Sequence, residues 1–160
     1  MAKLPVQFSL NGTDRATFVE PAGTLLDMLR RGLGDFAPKY GCGQGTCGVC
    51  TVLVDGEPHL SCLTLAVACE GRRIETVSGM ADGPDLHPLQ QAFMDHFAAQ
   101  CGFCTPGMLT AARALLAKNP NPTREEVIDG ISGNICRCTG YEPIIAAILA
   151  AAGSPGARRA

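Results

Sequence analysis

The chain contains no apolar run approaching the roughly 20 residues needed to span a membrane, and its opening Met1-Ala2-Lys3-Leu4-Pro5 turns polar too early to build the apolar core of an export signal. Positive charge is equally scarce. Thirteen Lys and Arg against 15 Asp and Glu give a net charge of −2, with no basic stripe to displace counterions from phosphates. Membrane and nucleic acid are therefore excluded as expected partners. Only three histidines occur, His59, His87 and His96, and no two are spaced to share a metal in the manner of a Rieske centre; they are read as surface or hydrogen-bonded residues. Cysteine is what the chain has in abundance. Nine cysteines in 160 residues, without an export signal, point to metal or redox chemistry in the cytoplasm rather than to a disulfide scaffold. With 46% apolar residues the chain can bury a core, as one ordinary domain or two small ones.

The cysteines fall into two sets of four with one left over. In Gly41-Cys42-Gly43-Gln44-Gly45-Thr46-Cys47-Gly48-Val49-Cys50, three thiols and four glycines share ten residues, and Cys62 follows twelve residues later. Cys-x4-Cys-x2-Cys with a distant fourth cysteine is the plant-type spacing for a [2Fe–2S] cluster. One tight loop can turn three thiolates inward, and the fourth must arrive from a neighbouring element. The glycines permit positive φ and let backbone N–H groups approach anionic sulfur without a Cβ in the way. Zinc prefers paired Cys-x2-Cys units, so iron–sulfur is favoured for Cys42, Cys47, Cys50 and Cys62.

The second set, Cys101, Cys104, Cys136 and Cys138, carries a weaker local signal. Cys101-x2-Cys104 lacks the βαβ surroundings of a redox dithiol, and by its residues alone the set suits zinc as well as iron–sulfur. Beside a first cluster, a second would make an electron path. Cys69, the ninth, is expected to be a buried small hydrophobe.

The first half alternates short apolar strands with tight turns. Segments 6–10 and 15–19 flank Asn11-Gly12, and segments 49–54 and 57–61 flank Asp55-Gly56; both dipeptides favour two-residue hairpins. Asn11-Gly12-Thr13 also fits a glycosylation sequon, but the turn explains it better. Thr24 opens a helix with Asp27 at its third position and Leu25, Leu26, Met28 and Leu29 apolar, ended by Gly32 and Gly34. Segment 73–77 is a last strand. Two hairpins and a helix across one mixed sheet predict a β-grasp arrangement over residues 1–78. The cysteine loop then lies between the helix and the third strand, with Cys62 at the end of the fourth.

Residues 79–88, rich in glycine and proline and without periodicity, predict a linker. Beyond it the fold class turns helical, making the chain α+β. Helices are expected over 88–98, with Leu89, Phe93 and Phe97 on one face; over 105–118, capped by Thr105 with Pro106 first; from the capping box Thr123-x-x-Glu126; and over 144–152. Together they predict a four-helix bundle over 89–153, followed by a flexible tail over 154–160. Residues 144–152 are apolar on every face, so that helix is expected to be buried in the bundle or under a partner. Cys101-Gly-Phe-Cys104-Thr105 and Cys136-Arg137-Cys138-Thr139 form a faint repeat, each in a loop ahead of a helix whose N-terminal partial charge favours an anionic cluster. Arg137 either tunes the cluster, anchors an interface or makes a plain ion pair. Gly43-x-Gly45-x-x-Gly48 matches a dinucleotide fingerprint as a string, but it follows no strand and leads into one, so it is rejected.

With these motifs placed, the chain resembles the small iron–sulfur subunit of the molybdenum hydroxylases, the xanthine oxidase and aldehyde oxidoreductase family, over about residues 6–149. The stretches that carry the likeness are 41–56, Gly-Cys-Gly-Gln-Gly-Thr-Cys-Gly-Val-Cys-Thr-Val-Leu-Val-Asp-Gly; 100–108, Gln-Cys-Gly-Phe-Cys-Thr-Pro-Gly-Met; and 133–141, Gly-Asn-Ile-Cys-Arg-Cys-Thr-Gly-Tyr. The resemblance implies a plant-type ferredoxin domain of β-grasp fold holding one [2Fe–2S] cluster, then a four-helix domain holding a second. It implies a large partner subunit with a molybdopterin-type molybdenum cofactor and a medium subunit with FAD, in a heterotrimer able to dimerise.

Electrons would leave substrate at molybdenum, pass the helical-domain cluster, then the ferredoxin-domain cluster, and reach FAD or another acceptor. No substrate chemistry would fall to this chain. By position, Gln100 and Cys138 would approach the pterin, while Gln44 and Gly45 would face the flavin subunit. Asp35-Phe36-Ala37-Pro38 departs from the family pattern, which reads more like Leu-Thr-Gly-Thr, and bears on the flavin side. Two rivals are a free-standing ferredoxin, expected to be more acidic, and a zinc-stabilised interaction module.

Overall fold

Tight turns of left-handed residues define the first half of the computed structural model, which describes residues 2–154. Strands β1 (Leu4–Leu10) and β2 (Thr13–Val19) pair antiparallel from Leu4↔Val19 to Leu10↔Thr13. Asn11 and Gly12 between them stand at φ 51° and 78°, the conformation whose twist suits a hairpin. Strands β3 (Thr51–Val54) and β4 (Glu57–Leu60) close the same way over Asp55 and Gly56, at φ 53° and 85°. Strand β5 (Arg73–Glu75) enters between the hairpins, parallel to β1 and antiparallel to β3, so the sheet order is β2-β1-β5-β3-β4. Val49 and Cys50 fall outside β3, contrary to expectation. The Thr51 N–H and hydroxyl both bond the Gly48 carbonyl, at 3.0 and 2.6 Å, and this turn delays the strand.

Alternation on β1 sends Val6, Phe8 and Leu10 inward, where they meet Leu25, Leu29, Val52, Val54 and Ile74 in one core. Burying each of these large side chains contributes about 1.5–3 kcal/mol. All four residues of β3 are buried, because the second half of the chain packs on its other face. The helix after β2 starts as expected: the Thr24 hydroxyl accepts from the Asp27 N–H at 3.1 Å and caps α1 (Leu25–Asp27). It does not continue as an α-helix. Met28–Gly32 form a π turn, closed by the Leu33 N–H on the Met28 carbonyl, a distinction that apolar spacing over two turns cannot make. Arg30 within this turn donates to the carbonyls of Phe36 and Pro38 at 3.2 and 2.8 Å, tying it to the segment that leads into the first cysteines.

The second half supplies α2 (Pro88–Asp95), α3 (Thr105–Lys118), α4 (Arg124–Gly130) and α5 (Glu142–Ala151). Leu89, Phe93, Met108, Leu116, Val127, Ile144 and Ile148 build their common core. α4 begins at the expected capping box, with reciprocal Thr123–Glu126 bonds of 2.7 and 3.2 Å. α2 has a box that sequence reading missed: His87 Nδ1 accepts from the Leu89 N–H at 3.2 Å, and Gln90 accepts from the His87 N–H at 2.9 Å. Histidine is not among the usual cap residues.

Two helix expectations need correction. α2 stops at Asp95, and Phe97 adopts φ 51° and is 82% exposed instead of joining Leu89 and Phe93. Cys104, not Thr105, occupies the cap position of α3, and Thr105 is its first helical residue. α5 buries Ile144, Ile145, Ala147, Ile148 and Ala151 in the bundle and leaves Ala150 exposed. Of residues 79–88, Pro88 already begins α2, and residues 79–87 form no α-helix or strand apart from the end of a short turn at Val77–Gly79 and an isolated Asp82–Asp85 bridge. The tail expected over 154–160 lies outside the described residues except for Ser154.

Candidate metal centres

The first cysteine loop hangs between the π turn and β3. Its backbone turns toward sulfur: the N–H groups of Gln44 and Thr46 lie 3.5 and 3.4 Å from Cys42 Sγ. The Thr46 hydroxyl and the Gln44 N–H beside it, with Cys47, bring the Cys42 thiol down to about 5, so it is a thiolate at neutral pH. Gly41 must be glycine for space, since a Cβ there would come within 2.9 Å of Cys47 Sγ. Cys62 reaches the loop from the end of β4. Ser61 N–H and hydroxyl both bond the Cys50 carbonyl, at 3.4 and 2.7 Å, and clamp the strand end to the loop. Burial first, then the neighbouring Cys50 sulfur, pushes the Cys62 thiol up to about 11.

The second set is assembled by two loops that precede helices. Cys101 and Cys138 are exposed, with their sulfurs 3.6 Å apart; Cys104 and Cys136 are buried. Desolvation, then Cys136 beside it, pushes Cys104 up to about 12. Cys136 runs the other way: burial alone would raise it, but the Thr139 hydroxyl and N–H and the Cys138 N–H bring it below the ordinary thiol value. Cys138 is raised, chiefly by Cys101.

The thiols approach in twos, Cys42 with Cys47, Cys50 with Cys62, Cys104 with Cys136 and Cys101 with Cys138. Among the described residues no three His, Cys, Asp or Glu side chains are arranged to hold one metal ion. A two-iron cluster asks for something different, four thiolates divided between two irons. The surroundings also fit an anionic sulfur cluster. Amide N–H groups face Cys42, and the hydroxyl of Thr105, next to Cys104, is buried with no hydrogen-bond partner among the described residues, a donor for which a sulfur-rich anion beside Cys104 would be an acceptor.

The two loops meet at a close seam. The Ile135 N–H donates to the Cys47 carbonyl at 2.9 Å, directly joining the chain beside Cys136 to a cysteine of the other set. Asn134, only 6% exposed, donates through Nδ2 to the Gly48 carbonyl at 2.8 Å and to Thr51 Oγ1 at 3.2 Å. Gly48 stands at φ 70°, and a Cβ there would lie 2.7 Å from Asn134 Nδ2. Arg113 of α3 and Glu75 of β5 form a partly buried ion pair nearby in the chain's fold; desolvation offsets much of its attraction, so its contribution is mainly orientation.

Of the other residues singled out from sequence, Gln44 is exposed and Gly45 half-buried at the loop tip, Gln100 is exposed directly before Cys101, and Arg137 is exposed. The structure does not bring Cys69 to either set: it is 1% exposed under the sheet, as expected of a small hydrophobe. Asp35, in the divergent segment, is firmly held: its carboxylate accepts from the Ala37 N–H and from the hydroxyls of Thr76 and Ser78. Sequence reading missed Asn134, Thr51 and Tyr141. The partners of Asn134 lie more than 80 positions away, and a single sequence carries no signal for that.

Residues 8–77 match the family described as 2Fe-2S iron-sulfur cluster binding domain, and residues 76–149 match the [2Fe-2S] binding domain family. The nicotine 6-hydroxylase small subunit of Paenarthrobacter nicotinovorans is 49% identical over 96% of this chain and 93% of its own length. The nicotinate dehydrogenase small FeS subunit of Eubacterium barkeri is 46% identical over 92% and 94%. Among solved structures, quinoline 2-oxidoreductase from Pseudomonas putida 86 superposes with a TM-score of 0.92 at 50% identity, covering 99% of this chain and 95% of that one. The aldehyde oxidoreductase of Desulfovibrio desulfuricans superposes at 0.90 and 43% identity, but there the match occupies only 17% of a longer chain. With two cysteine sets, two matching cluster-binding families and full-length relatives of this kind, the chain belongs to the small iron–sulfur, electron-transfer subunits of the molybdenum hydroxylases.

Proposed function

We propose that Cys42, Cys47, Cys50 and Cys62 hold one [2Fe–2S] cluster and that Cys101, Cys104, Cys136 and Cys138 hold the other. Bound there, each cluster supplies a one-electron redox centre. The observation that carries this reading is the grouping of eight thiols into two sets, each with a buried pair and a more accessible pair. Cys50, Cys62, Cys104 and Cys136 anchor the sets in the protein. Cys42 and Cys47 on one side, Cys101 and Cys138 on the other, bring them to the surface where partners can approach. The seam at Cys47 and Ile135 keeps the two sets in one rigid unit.

The sheet order and the loop position favour a β-grasp ferredoxin unit over residues 1–78. A linker over 79–88 and a four-helix unit over 89–153 complete the architecture. Two separate cores, one under the sheet and one among α2–α5, support that division. The partners inferred are a large molybdopterin subunit, facing Gln100 and Cys138, and a medium FAD subunit, facing Gln44 and Gly45, in a heterotrimer able to dimerise. The exposure of Gln44, Gln100 and Cys138 agrees with these roles. Nine free cysteines favour the cytoplasm, and no helix among the described residues is long and apolar enough to cross a membrane. The test is co-purification of the native complex with iron and acid-labile sulfide analysis: about four of each per chain are expected, together with molybdenum and flavin. A stable monomer would favour the free ferredoxin, and zinc in place of iron would favour the interaction module.

A further inference from the structure

The loop that carries Cys136 and Cys138 contains a relay of hydrogen bonds ending on sulfur. The Tyr141 N–H donates to Thr139 Oγ1 at 3.1 Å, and Thr139 Oγ1 lies 3.1 Å from Cys136 Sγ. A ligating thiolate has no proton to give, so the bond between these two atoms has one direction: the Thr139 hydroxyl donates and Cys136 sulfur accepts. Its oxygen is occupied by the Tyr141 N–H, which orients the hydroxyl proton. The loop is then closed a second time, because the Cys136 N–H donates to Tyr141 Oη at 2.9 Å. Tyr141 holds φ 69°, a left-handed conformation uncommon outside glycine, and the two bonds across the loop hold it there. Cys136 is only 8% exposed, so water competes poorly for this sulfur.

We propose that Thr139 is a positioning residue that sets the reduction potential of the second cluster by donating its hydroxyl proton to Cys136 sulfur. The proposal rests on the assignment of Cys136 as a cluster ligand. One-electron reduction adds negative charge that is shared by the ligand sulfurs, and a donor already aimed at one of them stabilises the reduced form more than the oxidised form. One electron enters, and no proton is transferred and no bond is broken. The first set gets comparable help at Cys42 from the Thr46 hydroxyl and the N–H groups of Gln44 and Thr46, so each set has one hydroxyl beside a sulfur.

The test is a redox titration of the assembled complex, followed by paramagnetic resonance, with Thr139→Val and Thr139→Ser. Valine keeps the shape and removes the donor. The equilibrium constant for reducing one cluster should fall about tenfold, which is 59 mV for a one-electron couple, while the other cluster stays where it was. Serine, which keeps the hydroxyl, should restore the original midpoint. If Thr139→Val loads only two irons per chain and Thr139→Ser loads four, the hydroxyl serves to seat the cluster and the proposal that it sets the potential is overturned. A fully loaded Thr139→Val complex with both midpoints unmoved overturns the proposal, and so does a Thr139→Ser complex that behaves like Thr139→Val. Absence of iron and sulfide from the unaltered complex is a separate failure, that of the ligand assignment itself.

Discussion

The two cysteine sets reach similar groupings by different means. The first uses one glycine-laced loop and a single thiol delivered by a strand end, and its sulfur Cys42 is faced by the Thr46 hydroxyl and by the N–H groups of Gln44 and Thr46. The second uses two short loops ahead of α3 and α5, and its sulfur Cys136 is faced by the Thr139 hydroxyl. A backbone donor is fixed by the fold and changes only when the loop changes. A hydroxyl donor can be added or removed by a single substitution. Both sets carry such a hydroxyl, but the first loop, whose Gly41 and Gly48 leave no room for a Cβ, should also fail through geometry, whereas the second should respond through its hydroxyl with its shape intact.

The largest effect expected comes from breaking one set and watching the other. Cys50→Ser should remove one cluster, and Cys104→Ser the other, each leaving about two irons per chain and one of two resonance signals in the reduced complex. Loss of both signals from either variant would mean that the sets are not independent. Next is Gly48→Ala, which combines left-handed strain with a Cβ only 2.7 Å from Asn134 Nδ2. A destabilisation of about 2–4 kcal/mol is expected, read as a lower urea midpoint of the cluster-loaded chain, and an unchanged midpoint would show that the seam yields easily.

Asn134→Ala sharpens the comparison at its boundary. It leaves the Gly48 carbonyl with the Thr51 N–H and hydroxyl alone and should cost about 1–3 kcal/mol. Hydrogen exchange at the Ile135 amide, which bonds the Cys47 carbonyl, should accelerate more than exchange within β1. Equal acceleration everywhere would assign Asn134 to global stability rather than to the seam. The smallest effect is on pH dependence in the iron-free chain. Cys42, with its thiol at about 5, is deprotonated above that value, so iodoacetamide should label it down to roughly pH 5. Cys62 and Cys104, raised to about 11 and about 12, are protonated at neutral pH and should label only in strong alkali. Peptide mapping that finds Cys42 unreactive at pH 6 would contradict the role of the loop amides and the Thr46 hydroxyl.

Local chemistry made much of this molecule legible before any coordinates. Asn11-Gly12 and Asp55-Gly56 announce hairpins because each turn needs two left-handed residues. Thr123 and Glu126 announce a helix start because their spacing fits a reciprocal cap. The cysteine spacing separates one set from the other. What sequence left hidden is non-local or depends on unusual partners. Asn134 matters through carbonyl and hydroxyl groups of a distant loop. His87 caps α2 although histidine rarely does, and Phe97 turns outward because α2 ends two residues before it. The π turn at Met28–Gly32 is invisible for another reason: over so few residues, its apolar spacing is the same as that of an α-helix.

The measurement that bears most directly on two separate two-iron sites is the Mössbauer spectrum of the reduced, 57Fe-labelled complex. Two pairs of irons are expected, each pair holding one added electron, so that half the iron is ferrous and half ferric. A single four-iron cluster, or iron bound one ion at a time, would contradict the division of the eight thiols into two sets.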